Sequence, residues 1–354
     1  MKILTIVGAR PQFIKAGTLS RYISNLSDVS EIIVHTGQHY DNNMSEVFFE
    51  ELKIPKPNYQ LNIGGLSHGA MTGRMIESLE EIVIKEKPDW LLVYGDTNST
   101  LAGAIVASKL KVKIAHIEAG LRSYNMDMPE EINRIISDRL SKILFCPTQN
   151  AIDNLNREGF QNFDVKIINV GDIMYEGALF YYNYMEKPFF LEEKADFVLA
   201  TIHREENTDN SERLESILKA LNEIAKSKRV IVPLHPRTKK KIQELKLKTN
   251  SIEFIDPVSY LNIIWLLQHC KLVITDSGGL QKEAYFFKKA CITLREETEW
   301  TELIKHNVNI LVGSNGDKLK EAIQLKWLDI KSFDINLYGD GKTSSKIINA
   351  LQNL

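Results

Sequence analysis

Short runs of β-branched and aliphatic residues alternate with stretches whose apolar positions recur every three or four residues, and this rhythm persists along nearly all of the 354-residue chain. In the first half, segments 3–7, 31–36, 90–94, 113–117, 143–146 and 165–170 predict strands. Segments 71–85 and 98–109 predict helices; in the former, Met71, Met75, Ile76, Leu79, Ile82 and Val83 fall at helical spacing. The strands are almost uninterrupted apolar runs, as a parallel sheet covered on both faces requires. A second series begins near Asp196, with strands at 197–202, 230–234, 252–255, 272–275, 290–294 and 310–312 and helices at 212–225 and 261–268. Two such series predict an α/β protein of two doubly wound, Rossmann-like domains facing a cleft. The expected division is 1–170 and 171–343, with 171–188 as the joining segment. Residues 344–354, after the turn-rich Tyr338-Gly-Asp-Gly-Lys342, are expected to form a helix that packs back on the first domain.

Composition narrows the function without naming it. Apolar residues are 44% and charged residues 25%, the balance of a globular chain. The net charge of −2 provides no basic field for nucleic acid or anionic lipid. Cys146, Cys270 and Cys291 form no C-x-x-C pair, which argues against a disulfide framework and a structural zinc, and suits a reducing compartment. The opening MKILTIVGARPQFIK lacks the apolar length of a secretory signal, and no run of about 18 apolar residues predicts a membrane span.

Open α/β sheets bind ligands beyond the carboxyl ends of their strands, so polar residues that end strands are the candidates. The first strand runs into Gly8-Ala9-Arg10-Pro11 and a helix containing Lys15; a glycine admits an anion to the backbone, and Arg10 suits phosphate. Asp96 ends the third strand and Glu118 the fourth, at equivalent tips. Two carboxylates facing one cleft repel, which raises the pKa of one and equips it as an acid. Against that, Asp is a favoured N-cap. In Met128-Pro129-Glu130-Glu131-Ile132-Asn133-Arg134, Pro129 is placed to open a helix whose dipole both glutamates suit. That explains the charges but not why Arg122 and Arg134 flank them.

In the second half, His203 and His235 follow successive strands. Metal companions are not clustered nearby, so hydrogen bonding to a phosphate or sugar is favoured over ligation. Thr275-Asp276-Ser277-Gly278-Gly279 follows a strand and opens a helix, a ready diphosphate site, and Glu283 lies further along the same helix where it could accept from ribose hydroxyls. The dense loop Arg295-Glu296-Glu297-Thr298-Glu299-Trp300 reads as solvated surface unless its place at a strand end brings it into the cleft.

GARPQFIK, GDTNST, HIEAGLRS, PEEINR, TIHREEN, TDSGG and YGDGK together resemble the non-hydrolysing UDP-N-acetylglucosamine 2-epimerases, in order and spacing and over essentially the whole chain. The Arg295–Trp300 segment is more similar to members acting on UDP-2,3-diacetamido-2,3-dideoxyglucuronic acid. The resemblance implies the two-domain GT-B fold and elimination and re-addition of UDP across C1–C2 of the sugar, for surface polysaccharide synthesis. It implies Asp96, Glu118 and Glu130 as the acid/base carboxylates, with Glu131 a second choice on the substrate side. His203 would join the catalytic groups through the diphosphate, which Arg10, Ser277, Gly278 and Gly279 would also hold. Glu283 would bind ribose, and Lys15, Arg134 and His235 would line the site. Where the family often has an aromatic ring against uracil, this chain has Ile263. Where several bacterial members bind UDP-N-acetylglucosamine as activator, it has Tyr40 and Asp41. No metal or redox cofactor is implied; the implied partners are a UDP-sugar substrate and a second copy in a homodimer, in the cytoplasm. A hydrolysing relative releasing UDP and free sugar, and a GT-B glycosyltransferase, remain the alternatives.

Overall fold

The protein was described from a computed structural model, covering residues 1–38, 49–189, 191, 196–234, 236–325 and 332–354. The chain divides into two compact units, Met1–Leu179 with Leu337–Leu354, and Phe180–Asn336. The division thus falls after Leu179 rather than after Val170, within the helix Ile173–Tyr181. The segment returning to the first unit begins at Leu337 rather than at Ser344.

In the first unit β1 (Lys2–Val7), β2 (Ser30–His35), β3 (Tyr59–Gln60), β4 (Trp90–Tyr94), β5 (Lys113–Ile117), β6 (Ile143–Cys146) and β7 (Lys166–Asn169) form a sheet in the order β3-β2-β1-β4-β5-β6-β7. In the second, β8 (Phe197–Thr201), β9 (Arg229–Pro233), β10 (Glu253–Ile255), β11 (Leu272–Thr275), β12 (Ala290–Thr293) and β13 (Asn309–Leu311) run in the order β10-β9-β8-β11-β12-β13. Every pairing is parallel. The edge strand β3, which the sequence pattern does not show, is two residues held by Val34 and His35.

Each sheet reverses its order once, between β1 and β4 and between β8 and β11. Those reversals open a crevice at the carboxyl ends of the flanking strands. The strands are apolar on both faces because helices cover both. Leu4, Ile6, Leu91 and Val93 pack with Met75, Leu79 and Val83 of the helix His68–Glu86. In the second unit Val198, Val232 and Ile274 pack with Leu214, Ile217 and Leu221 of the helix Ser211–Ala225.

The C-terminal helix Thr343–Gln352 lies on the first unit. Thr343 Oγ1 donates to Val170 O at 3.1 Å, Ser344 N to Glu176 Oε2 at 2.7 Å, and Gln352 Nε2 to Asp28 Oδ2 at 2.8 Å. The chain re-enters through a backbone crossing: Gly171 and Gly339, both at positive φ, approach so closely that a Cβ on Gly171 would stand 2.8 Å from Tyr338 O. Only glycine fits there, which explains the Tyr338-Gly-Asp-Gly-Lys342 segment. Among the described residues no helix is long and apolar enough to cross a membrane, and the three cysteines are buried free thiols.

Candidate active site

Asp96 and Glu118 do stand on neighbouring strand tips of the first unit, since Tyr94 pairs with Ile117 and Gly95 N donates to Ile117 O at 2.9 Å. Glu118 is held in the left-handed region at φ 69°, a costly place for a residue with a Cβ and one that surrounding contacts must impose. The N–H groups of Glu118 and Ala119 both donate to Phe145 O at 3.1 Å. Beneath them lies a buried chain of polar groups. His116 places Nδ1 2.6 Å from Asp138 Oδ1 and Nε2 2.7 Å from Gly95 O. Arg122 reaches Asp138 at 2.7 Å and grips Glu158 through two bonds of 2.6 and 2.8 Å. Burial pushes the Asp138 carboxyl up, but His116 and Arg122 more than offset it and hold Asp138 below the usual carboxylate range. Arg122 therefore braces the loop that presents Glu118.

The repulsion expected between the two carboxylates is met by giving each its own cation. Lys15 pairs with Glu118, both side chains buried. Arg134 donates to Asp96 Oδ2 twice, from Nε at 3.0 Å and from Nη2 at 2.6 Å. Nor does Asp96 cap the following helix: Thr97 occupies the N-cap of Asn98–Lys109 and accepts from Thr100 N.

Pro129 opens the helix Pro129–Leu140, and the two glutamates beside it diverge. Glu130 is exposed and lines a cavity of about 240 Å³ shared with Lys15, Gly95, Asp96, Asn98 and Asn133. Glu131, only 1% exposed, accepts from Ser123 N at 3.0 Å, Tyr124 N at 2.9 Å and Arg134 Nη1 at 2.6 Å. Burial works against its charge, but those amides and Arg134 hold it below the usual carboxylate range. Glu131, expected on the substrate side, thus braces Arg134 and the 123–124 turn.

Arg10 begins the helix Arg10–Ile23. Sequence reasoning passed over its neighbour Gln12, which ties the crevice together. Gln12 accepts from Gly8 N at 2.8 Å and Ala9 N at 3.1 Å, and donates to Tyr94 O at 2.7 Å and Thr97 Oγ1 at 2.9 Å. A glutamine following a βα turn carries no pattern that would have revealed this.

In the second unit the reversal between β8 and β11 brings His203 beside Asp276-Ser277-Gly278-Gly279. Asp276, fully buried, accepts from His203 N at 3.0 Å, Arg204 N at 3.1 Å and Asn207 Nδ2 at 3.2 Å, and lies 3.0 Å from His203 Nδ1. Burial opposes its charge, while the His203 ring and these donors hold it below the usual carboxylate range. Asp276 thus orients His203, whose side chain is half exposed. Ser277 caps the helix Gly278–Phe286, its Oγ accepting from Leu280 N at 3.3 Å. The first N–H groups of a helix have no partner within it, so Gly278 and Gly279 sit where backbone amides and the positive dipole end can meet a diphosphate. Glu283 is buried and accepts from Tyr260 OH at 2.8 Å. Ile263 is partly buried and packs against the core below. His235, Tyr40 and Asp41 lie outside the described residues.

The charged loop after β12 is not solvated surface as a whole. Arg295 is 2% exposed and bonds Glu299 at 3.0 Å. Thr298 donates to Gln281 at 2.8 Å, and Lys282 lies 4.0 Å over the Trp300 ring. A Cβ on Gly278 would stand 2.5 Å from Glu299 Oε1. The loop is therefore the scaffold of the helix that begins at Gly278.

Two parallel doubly wound sheets, each with polar residues gathered at its switch point, define an α/β protein with the architecture of the GT-B type that its structural neighbours share. The sequence profile described as UDP-N-acetylglucosamine 2-epimerase matches residues 21–352. The chain is 57% identical, over the whole of both sequences, to a UDP-2,3-diacetamido-2,3-dideoxy-D-glucuronate 2-epimerase of Pseudomonas aeruginosa. It is 44% identical, over 99% of each, to a UDP-N-acetylglucosamine 2-epimerase of Methanocaldococcus jannaschii. The crystal structure of the Methanocaldococcus jannaschii enzyme with UDP-GlcNAc and UDP superposes over both whole chains with a TM-score of 0.91 at 43% identity. That of the Neisseria meningitidis enzyme bound to UDP-GlcNAc gives 0.91 at 30%, again over both whole chains. The chain belongs to the UDP-N-acetylglucosamine 2-epimerase family.

Proposed function

We propose that this protein inverts C2 of a UDP-activated N-acetylhexosamine, and that its substrate is UDP-2,3-diacetamido-2,3-dideoxy-D-glucuronate. The observation that carries the chemistry is the pair of carboxylates, Asp96 and Glu118, on adjacent strand tips, with Glu130 on the same cavity as Asp96. The C2 proton of such a sugar is not beside a carbonyl, so simple deprotonation cannot invert the centre. Elimination provides a route: one carboxylate takes the C2 proton as the C1–O bond breaks, leaving a 2-acetamidoglucal and UDP. UDP then returns to C1 while a carboxylic acid delivers a proton to the other face of C2. The Gly278 and Gly279 amides, Ser277 and His203 take the charge that grows on the departing diphosphate. Glu283 is assigned to ribose and Arg10 to the diphosphate.

The choice of sugar rests on the Pseudomonas aeruginosa relative. A homodimer, a cytoplasmic setting and a role in surface polysaccharide supply accompany this assignment through the family likeness; sedimentation equilibrium tests the first. The main experiment is an NMR assay of the purified protein with UDP-2,3-diacetamido-2,3-dideoxy-D-glucuronate and UDP-N-acetylglucosamine in parallel. Accumulation of the intact C2-epimeric UDP-sugar from the first is expected. Release of free sugar and UDP would replace the proposal with the hydrolysing reaction, and turnover only in the presence of an acceptor would replace it with glycosyl transfer.

A further inference from the structure

A histidine that the mechanism does not use lines the cavity of the first unit. His68 begins the helix His68–Glu86, is exposed, and shares the cavity with Lys15, Asp96, Asn98, Glu130 and Asn133. A relay of amides fixes which of its nitrogens carries the proton. Asp96 O is a backbone carbonyl and only accepts, so the atom of Asn133 facing it at 2.9 Å is the amide nitrogen. That nitrogen also reaches Asn98 at 3.3 Å, which must present its oxygen. Asn98 then turns its own nitrogen to His68 Nδ1 at 3.1 Å and to Met71 Sδ at 3.8 Å. Nδ1 therefore accepts, and the ring proton sits on Nε2. Among the described residues nothing meets Nε2.

We propose that His68 is a substrate-binding residue of the epimerisation, donating its Nε2–H to an acceptor oxygen on the sugar; this rests on the proposed reaction taking place at this cavity. The acidic groups around the cavity explain why a donor is needed. A carboxylate acting as base offers acceptors only, and an acetamido carbonyl or a sugar carboxylate, itself an acceptor, finds no partner in it. The ring N–H of His68 provides one, its other nitrogen being held by Asn98 at 3.1 Å.

The test compares His68→Phe, which keeps a ring and loses the donor, with His68→Gln, whose amide nitrogen reaches to about the same place. KM is measured with both UDP-sugars named above, and dissociation constants by calorimetry. His68→Phe is expected to raise KM about tenfold, the size of one hydrogen bond, with a smaller fall in kcat, and His68→Gln to restore most of it. A rise with both sugars places the acceptor on the shared 2-acetamido group or a hydroxyl; a rise only with the diacetamido uronate places it on the added acetamido or carboxylate group. Wild-type KM and affinity in His68→Phe with both sugars would overturn the proposal, as would a ¹⁵N imidazole spectrum placing the proton on Nδ1. A wild-type protein that epimerises neither sugar would sink the proposed function instead, and the calorimetric comparison would still decide His68.

Discussion

Lys15 and Glu118 form an ion pair whose side chains are only 7% and 9% exposed, and it passes directly over Gly95. The helix after β1 and the loop after β5 are thereby locked at the switch point, with the charge of Glu118 balanced where water reaches it little. Removing one partner of such a pair leaves the other charge buried, at a cost of about 3–5 kcal/mol. Lys15→Met and Glu118→Gln should each abolish most activity. Denaturant unfolding should show Lys15→Met losing stability on that scale and Lys15→Met/Glu118→Gln recovering much of it. Additive losses in the double variant would mean the two side chains do not act as a pair.

Gly95 follows from the same arrangement. Its φ is 62°, and a Cβ there would lie 3.1 Å from Glu118 Oε2 and 3.2 Å from Lys15 Nζ. Gly95→Ala should cost about 1–2 kcal/mol from the backbone alone. By displacing the pair it should also lower kcat by about a hundredfold, the penalty of an ångström-scale misplacement. UDP affinity by calorimetry should stay near wild type, because Ser277, Gly278 and Gly279 belong to the second unit and Arg10 takes no part in the Lys15–Glu118 pair. A variant with normal kcat would show that Glu118 need not be held where it is.

Arg134 serves two carboxylates with one planar fork, and a lysine of equal charge cannot. Arg134→Lys should reduce kcat/KM by at least about tenfold, since bonds to charged groups are worth about 1.5–3 kcal/mol each. Circular dichroism should show the fold retained. Unchanged kinetics would remove Asp96 from the catalytic set.

His35 ends β2 with its ring between Phe13 at 5.0 Å and Phe49 at 6.1 Å. It is 2% exposed, and neither ring nitrogen has a hydrogen-bond partner among the described residues. Burial lowers its pKa to about 4, below the unfolded value of about 6.5. The unfolded chain therefore binds the proton first, so stability is full above about pH 6.5 and declines as pH falls toward 4. About 2 kcal/mol should be lost through His35 between pH 7 and pH 5. Urea titrations at those two pH values should show that loss in wild type and its disappearance in His35→Phe.

The pattern of apolar runs gave away the two sheets because strands buried on both faces have no choice but to be apolar throughout. It missed β3, since a two-residue edge strand has no period. Motif residues at strand tips, Asp96, Glu118 and His203, were legible because an apolar strand has little use for a terminal charge. The distinction between Glu130 and Glu131 was not, because one residue of rotation on a helix separates a cavity wall from a buried brace, and both suit the same dipole. The loop 295–300 misled for the opposite reason: charges that bond one another, as Arg295 and Glu299 do, can be buried, and pairing is not written in local sequence. Gln12, Asp276 and His68 act through partners far along the chain, which only the fold brings together.

In the proposed reaction the bond between C2 and its hydrogen breaks at every turnover, and solvent exchange reads this directly. With the reaction run in D₂O and the products followed by NMR, the epimerised UDP-sugar should carry deuterium at C2, and Glu118→Gln should suppress both exchange and epimerisation. An epimer that retains its original C2 hydrogen would contradict the elimination route and the acid/base roles of Asp96, Glu118 and Glu130.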